Sequence, residues 1–129
     1  MVDVAVLVGW SGTVEGAAAL ERGAAEALLR GLPLAVVDLS TRDDGGEAAR
    51  RAVAALEPAP ASAQVLRRPE HQDPVDALLD AVPGAGAELL VVGTRRRSPV
   101  GKFLMGSTAQ RIILGSDVPV LVVKAGREG

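Results

Sequence analysis

The sequence is poor in the side chains that most often perform chemistry. Its 129 residues include no cysteine and no tyrosine, and one residue each of histidine, tryptophan and phenylalanine. Without cysteine the chain has no disulfide, no thiolate nucleophile and no cysteine-based metal site. The lone histidine, His71, lies beside Pro69 and Glu70 in a segment typical of a loop, which makes it a poor general base. We therefore expect a protein that is not an enzyme and that requires no metal.

Charge and hydropathy argue against a nucleic-acid-binding protein and against a membrane protein. The formal net charge is −2, and the scarce aromatic residues offer no stacking surface, so we expect no nucleic-acid partner. No apolar run approaches the roughly 18 residues of a membrane span, and the first run, Val4 to Val8, is too short for the core of a signal peptide. We expect no membrane association and a cytoplasmic location.

The hydrophobic pattern predicts one α/β domain over residues 1–129. With 48% apolar residues but few aromatics, the core must consist of Val, Leu, Ile and Ala, which suits a parallel sheet between Ala-rich helices. Apolar runs alternate with helical patterns, and this alternation favours right-handed crossovers and an open sheet. The predicted strands are Val2–Val8, Pro33–Leu39, Ala63–Leu66, Glu88–Val92 and Val118–Lys124. The predicted helices cover 14–30, 47–56, 74–82 and a segment from Ser107.

Several capping signals support these helices. Ser11 or Thr13 can cap the first helix, and Gly31 ends it. Asp73 before Pro74 is a strong helix opening, because the side chain caps while proline occupies the first turn. Asp44 with Glu47 is a capping-box-like start, and Gly84 with Gly86 should end the third helix. Trp10 could shield a site, but packing under the first helix is favoured.

The candidate site lies where open sheets bind ligands, beyond the carboxyl ends of the strands. Gly9, Gly93 and the Gly106-Ser107 pair fall there. Ser107 with Gln110 matches the capping box S-x-x-Q, and the start of a helix offers free N–H groups to an anion. Basic residues crowd the preceding loop: Arg95, Arg96, Arg97 and Lys102. Phosphate is the anion that this pattern favours, although a solvated basic loop stays open as an alternative.

The segment VVGTRRRSPVGKFLMGST and the closing VPVLVV strand resemble the universal stress protein family. Its nucleotide-binding members carry Gly, two residues, Gly, nine residues and then Gly-Ser or Gly-Thr, which Gly93 and Gly106-Ser107 match in spacing. The resemblance covers the whole chain and implies a Rossmann-like, five-stranded parallel open twisted sheet of order 3-2-1-4-5 with helices on both faces. It also implies a small sensor of ATP or AMP with a non-enzymatic output. A nucleotide-independent dimeric scaffold in the stress response is the alternative.

The resemblance also implies which residues would hold a nucleotide. Adenine and ribose would lie between the end of strand two, at Leu39, and the first strand's end, at Leu7, Val8 and Gly9. The phosphates would meet Gly93, Arg96, Gly106, Ser107 and Thr108. For Leu7, Val8 and Leu39, packing in the sheet core is the competing interpretation.

Two positions depart from the family's nucleotide-binding pattern. Arg96 replaces the second motif glycine, where it could either block the approach of the phosphates or hold one with its guanidinium. The family's binding members usually place an aspartate just after the first strand, and the sequence predicts Gly9 at that point. A Mg²⁺-dependent arrangement is therefore disfavoured.

The last strand predicts a partner. An edge strand as apolar as Val118–Lys124 is a template for pairing unless something covers it. Members of the family commonly pair this strand across a two-fold axis, so the resemblance implies a homodimer.

Overall fold

Strands and helices alternate along the chain in the computed structural model, which describes residues 4–40, 44–95 and 107–125. The strands are β1 (Ala5–Trp10), β2 (Leu34–Asp38), β3 (Ala63–Arg67), β4 (Ala87–Arg95) and β5 (Val120–Ala125). The helices are α1 (Val14–Arg30), α2 (Glu47–Ala54), α3 (Pro74–Ala85) and α4 (Ser107–Gly115).

The sheet has the predicted topology. All four neighbouring pairs are parallel, and the strand order is β3-β2-β1-β4-β5. Strand β1 is central, with Val8 opposite Val36 of β2 on one side and Val91 of β4 on the other. The strand order reverses between β1 and β4, so the crevice for a ligand is expected at their carboxyl ends.

Helices cover both faces of the sheet, as predicted. Val6, Val8 and Trp10 of β1 point toward the face that α1 and α2 cover. The intervening Leu7 points toward the other face, where Leu78 of α3 packs. Every residue of β1 is buried, which accounts for its nearly continuous apolar run. Trp10 is only 7% exposed, so the predicted packing of this side chain is confirmed.

The observed strand ends differ from the predicted ones where pairing continues. Strand β1 runs on to Trp10, because Gly9 and Trp10 pair with Val37 and Asp38 of β2. The first residue after β1 is therefore Ser11, and the prediction that Gly9 follows the strand is wrong. Strand β4 likewise extends to Arg95, which pairs with Ala125 of β5.

The helix starts are held mainly by the predicted side chains. Thr13 is the N-cap of α1, its Oγ1 accepting a hydrogen bond from the Gly16 N–H at 3.1 Å. Asp73 Oδ2 accepts from the N–H groups of Val75 and Asp76 at 2.9 and 3.1 Å, which starts α3.

Two helices depart from prediction in detail. The N-cap of α2 is Gly46 in the left-handed region, and Asp44 supports this turn from outside by accepting from the Gly46 N–H at 3.0 Å. Helix α3 continues through Pro83 and Gly84 and stops only at Gly86, which has φ 65°. The helix passes Gly84 because its end is decided by the residue that adopts the left-handed conformation, which is Gly86.

Candidate functional site

A cavity of about 340 Å³ opens at the carboxyl ends of β1 and β4, where the strand order reverses. Its walls come from four elements: the end of β1, the first turn of α1, the end of β4 and the first turns of α4. Leu39, which follows β2, closes one side. This volume lies within the range of small-molecule sites, roughly 300 to 1,000 Å³.

Gly93 lets β4 lie close to the first turn of α1, and both of these elements form walls of the cavity. A Cβ atom on Gly93 would overlap the backbone carbonyl of Glu15, so any other residue would push the first turn of α1 away from β4. Gly16 is needed for a similar reason, since its Cβ would lie 2.6 Å from both the N and the O of Ser11. Gly93 therefore lets the first turn of α1 lie against β4, and Gly16 keeps the turn between β1 and α1 compact.

Gly9 lines the cavity with its backbone, and the position that a Cβ atom would occupy on this residue faces away from the cavity. A Cβ on Gly9 would face Leu78 Cδ2 at 3.0 Å and Leu39 Cδ1 at 3.2 Å, inside the core under α3. An aspartate at position 9 would therefore point toward the apolar side chains of Leu78 and Leu39. Ser11, the first residue after β1, lines the cavity and brings a hydroxyl to the position where the family resemblance places the aspartate.

An ion pair lies across one wall of the cavity. Arg95 Nε is 3.5 Å from Glu15 Oε1. That oxygen is buried and accepts no hydrogen bond from the described residues. Both side chains line the cavity, so its wall carries one charge of each sign.

The first turn of α4 faces the same cavity through Thr108 and Ala109. Ser107 is the first residue of the helix, and both Ser107 and Thr108 are exposed. The first N–H groups of a helix lack intrahelical acceptors, and the helix dipole is positive at this end. This end of α4 can therefore receive the negative oxygens of a bound molecule.

An exposed ion pair joins α4 to the start of α3. Arg111 Nη2 of α4 lies 3.1 Å from Oδ2 of Asp73, the N-cap of α3, and 3.6 Å from Asp76 Oδ1. The Asp76 backbone N–H, followed by the Arg111 guanidinium, holds the pKa of the Asp73 carboxyl below its ordinary value. One carboxylate thus both caps α3 and tethers α4.

The structure brings together four of the nine site residues that the sequence suggested: Gly9, Leu39, Gly93 and Thr108. Ser107 is adjacent to them. Leu7 and Val8 do not line the cavity, because both are fully buried in the core of β1. Arg96 and Gly106 lie outside the described residues.

Sequence reasoning missed the contribution of the β1–α1 turn. Ser11, Glu15 and Gly16 all line the cavity. The signal that could have found them is the turn's place at the carboxyl end of the central strand, together with a glycine inside the first turn of α1, where helix propensity disfavours it.

Two negative findings concern the described part of the chain. There, no three His, Cys, Asp or Glu side chains come close enough together to hold a metal ion. No helix in the same ranges has the length and apolar character needed to cross a membrane.

The sheet order and its cavity define a doubly wound α/β protein with a ligand-sized site at the topological switch point. Residues 5–124 match the model of the universal stress protein family, and the chain belongs to that family.

Relatives and solved structures agree with this assignment. A universal stress protein of Mycolicibacterium smegmatis is 38% identical over 125 residues, covering 92% of this chain and 96% of that protein. The structure of a universal stress protein from Archaeoglobus fulgidus is 30% identical with a TM-score of 0.73, covering 96% of this chain and all (100%) of that one. A universal stress protein structure from the same organism in complex with dAMP is 26% identical with a TM-score of 0.69, at the same coverage.

Proposed function

We propose that this universal stress protein binds an adenine nucleotide, ATP or AMP, in the cavity between β1 and β4. In this proposal the protein acts as a sensor by binding the nucleotide and does not catalyse a reaction on it. The observation that carries the proposal is the convergence of a 340 Å³ cavity at the switch point with the N-terminal turn of α4. A similar protein whose structure contains dAMP supports it further.

The geometry favours one orientation of the nucleotide. The phosphates lie toward Gly93, Ser107 and Thr108, because the first N–H groups of a helix have no acceptor within the helix itself. The adenine and ribose lie toward the backbone of Gly9 and the side chain of Leu39. In this proposal no metal is required.

A charge placed at the start of α4 tests this orientation. Thr108→Glu keeps a residue that favours the first turn of a helix, so the fold should survive, while its carboxylate repels phosphate. We expect its affinity for ATP and AMP in isothermal titration calorimetry to fall at least about tenfold, equivalent to roughly 1.4 kcal/mol. Gln64→Glu adds the same charge on exposed β3 and should bind as the parent does.

Titration of the parent protein, which is the chain without any substitution, decides whether nucleotide binds at all. If neither ATP nor AMP at millimolar concentration gives heat or a thermal shift with the parent, the nucleotide-binding proposal fails. Binding that is unchanged in Thr108→Glu would instead refute the proposed position of the phosphates.

Arg96 has its own test, based on the sequence pattern. Arg96→Gly restores the glycine of the family motif. Tighter binding in this variant would identify the arginine as an obstacle, whereas weaker binding would identify it as a phosphate ligand.

A second candidate function is supported by β5. This strand lies at the edge of the sheet, and Val120, Leu121, Val122 and Val123 are each only half-buried. We propose that β5 pairs with a second copy of the chain, forming a homodimeric scaffold in the cytoplasm that works with or without nucleotide. Size-exclusion chromatography with light scattering tests the pairing, and a monomer alone at micromolar concentration would refute it.

A further inference from the structure

A second and larger cavity, of about 560 Å³, lies between α1 and α2 and is lined by other residues than the candidate nucleotide site. Among the described residues, none lines both cavities. Occupation of one therefore does not require contact with the residues of the other.

Small side chains create this groove. Helix α1 presents Ala17, Ala24 and Ala25 to it, and the end of α2 presents Ala52 with the following Ala55. Because alanine side chains are short, the two helices lie over the same face of the sheet without filling the space between them. Leu20, Leu28 and Leu56 give the walls their apolar surface, and the buried indole of Trp10 reaches the groove from the sheet.

The charged residues in the groove are all of one sign. Glu21 on α1 and Glu57 after α2 line it, with no arginine, lysine or histidine among the described lining residues. Within the described ranges neither carboxylate has an ion-pair partner, whereas Glu15, Glu26, Glu47 and Glu88 each pair with arginine. Arg22, the residue next to Glu21, is already paired with Glu26 at 3.1 Å.

We propose that the groove between α1 and α2 binds a small organic cation with an apolar body, such as an aliphatic or aromatic amine. The alanine and leucine walls take the apolar body, and the carboxylates of Glu21 and Glu57 attract the positive head. The indole of Trp10 adds an aromatic surface on which apolar or cationic groups pack favourably. The volume matches that of ordinary small-molecule sites.

Trp10 is the only tryptophan of the chain, so its fluorescence reports occupation of the groove directly. The probe is octyltrimethylammonium, used below its micelle concentration and titrated into the full chain. Octyl sulfate and octanol are the anionic and neutral controls with the same apolar tail. We expect a saturable fluorescence change with the cation and an affinity at least about tenfold above that for octyl sulfate.

Two sets of variants test the two parts of the site. The double change Glu21→Gln and Glu57→Gln should weaken binding of the cation severalfold and leave binding of octanol unchanged. Glu70→Gln, which removes an exposed carboxylate in the loop before α3, is the matched control. Ala25→Leu fills the groove from an exposed helix position and should abolish binding, while Ala54→Leu on exposed α2 surface outside the groove should not.

The possible results separate clearly. A titration without saturable change, or equal affinity for octyl sulfate and the cation, would overturn the proposal. So would cation binding that survives both the double glutamine variant and Ala25→Leu, provided that circular dichroism shows these variants folded. Because the groove and the first cavity share none of their described lining residues, ATP should not compete with the probe, and the result is independent of whether nucleotide binds.

Discussion

At the scale of single residues, the glycines of the site illustrate how one residue type can serve packing and ligand binding together. Gly93 belongs to the spacing pattern that resembles the nucleotide-binding motif of the family. In the structure the same position lets the backbone of Glu15 cross β4 closely. The fold therefore requires glycine at position 93 whether or not a ligand is bound.

Gly93→Ala should therefore destabilise the protein. Its Cβ would overlap the Glu15 carbonyl, and overpacking against backbone typically costs about 1–3 kcal/mol. Urea unfolding of the parent and the variant measures the difference in the free energy of unfolding.

Gly84→Ala is the matched control for this change. Gly84 lies within α3, and a Cβ there meets nothing within 4 Å. Its replacement should raise the free energy of unfolding by up to about 1 kcal/mol, because alanine favours the helix. Equal effects of the two substitutions would contradict the packing role of Gly93.

At the scale of elements, an exposed ion pair outside the site joins α4 to the start of α3. Arg111 of α4 is held by Asp73 and Asp76 at the start of α3. Helix α4 in turn presents Thr108 and Ala109 at the cavity. Two helices that flank the same sheet face are thereby connected at the end where the ligand is proposed to bind.

This contact predicts a pH dependence of stability. The pKa of Asp73 is lowered in the folded chain, first by the Asp76 N–H and then by Arg111, so its ionised form favours folding. The contribution is complete above the ordinary pKa range of an aspartate and is lost as the pH falls through the lowered folded value. Asp73→Asn keeps the helix cap but lacks the charge.

We expect Asp73→Asn to be less stable than the parent at neutral pH, with a difference that shrinks as the pH falls below the ordinary pKa range of an aspartate. Urea unfolding at several pH values measures it. Glu21→Gln removes a carboxylate that has no ion-pair partner among the described residues and serves as the control for general charge effects. A difference between parent and Asp73→Asn that did not change with pH would rule out the proposed tether.

At the scale of the whole molecule, the reversal of strand order places the site. Strand β1 connects through α1 to β2 on one side, while β4 lies on its other side. The helices that follow the strands therefore diverge at this point and leave a crevice. The cavity is a product of topology, and the side chains then decide what it accepts.

If the cavity binds nucleotide in the folded state alone, nucleotide must stabilise the whole fold. At a concentration about 100 times the dissociation constant, the gain is about 2.7 kcal/mol. A rise in the thermal midpoint with ATP or AMP, absent with equimolar inorganic phosphate, is the expected result. A rise of the same size in Thr108→Glu would show that the effect does not arise at the start of α4.

The fold could be predicted almost completely from the sequence. The β-branched run of β1, the alanine-rich pattern of α1 and the Asp73-Pro74 opening of α3 are local signals, and each matches its element in the structure. Element ends are harder to predict, because the end of a strand depends on pairing with its neighbour. Gly9 and Trp10 extend β1 only because β2 supplies Val37 and Asp38 beside them.

The site could be predicted only in part. Gly93 is a position of the spacing motif and Thr108 follows from the family resemblance, and both line the cavity, whereas Leu7 and Val8 are buried in the sheet core. The ion pair between Glu15 and Arg95 joins residues 80 positions apart in the chain, so no local sequence pattern predicts it. The groove between α1 and α2 is similarly invisible in the sequence, since its walls are separate helices.

The sequence by itself determined the architecture and the family, because hydrophobic periodicity, caps and motif spacing are properties of neighbouring residues. Tertiary structure alone decided that Ser11 rather than Gly9 follows the first strand, and which side chains line each cavity. The physical reason is that strand pairing and close backbone crossings, such as Glu15 over Gly93, form between segments that are distant in the chain. Their geometry exists only once the sheet is assembled.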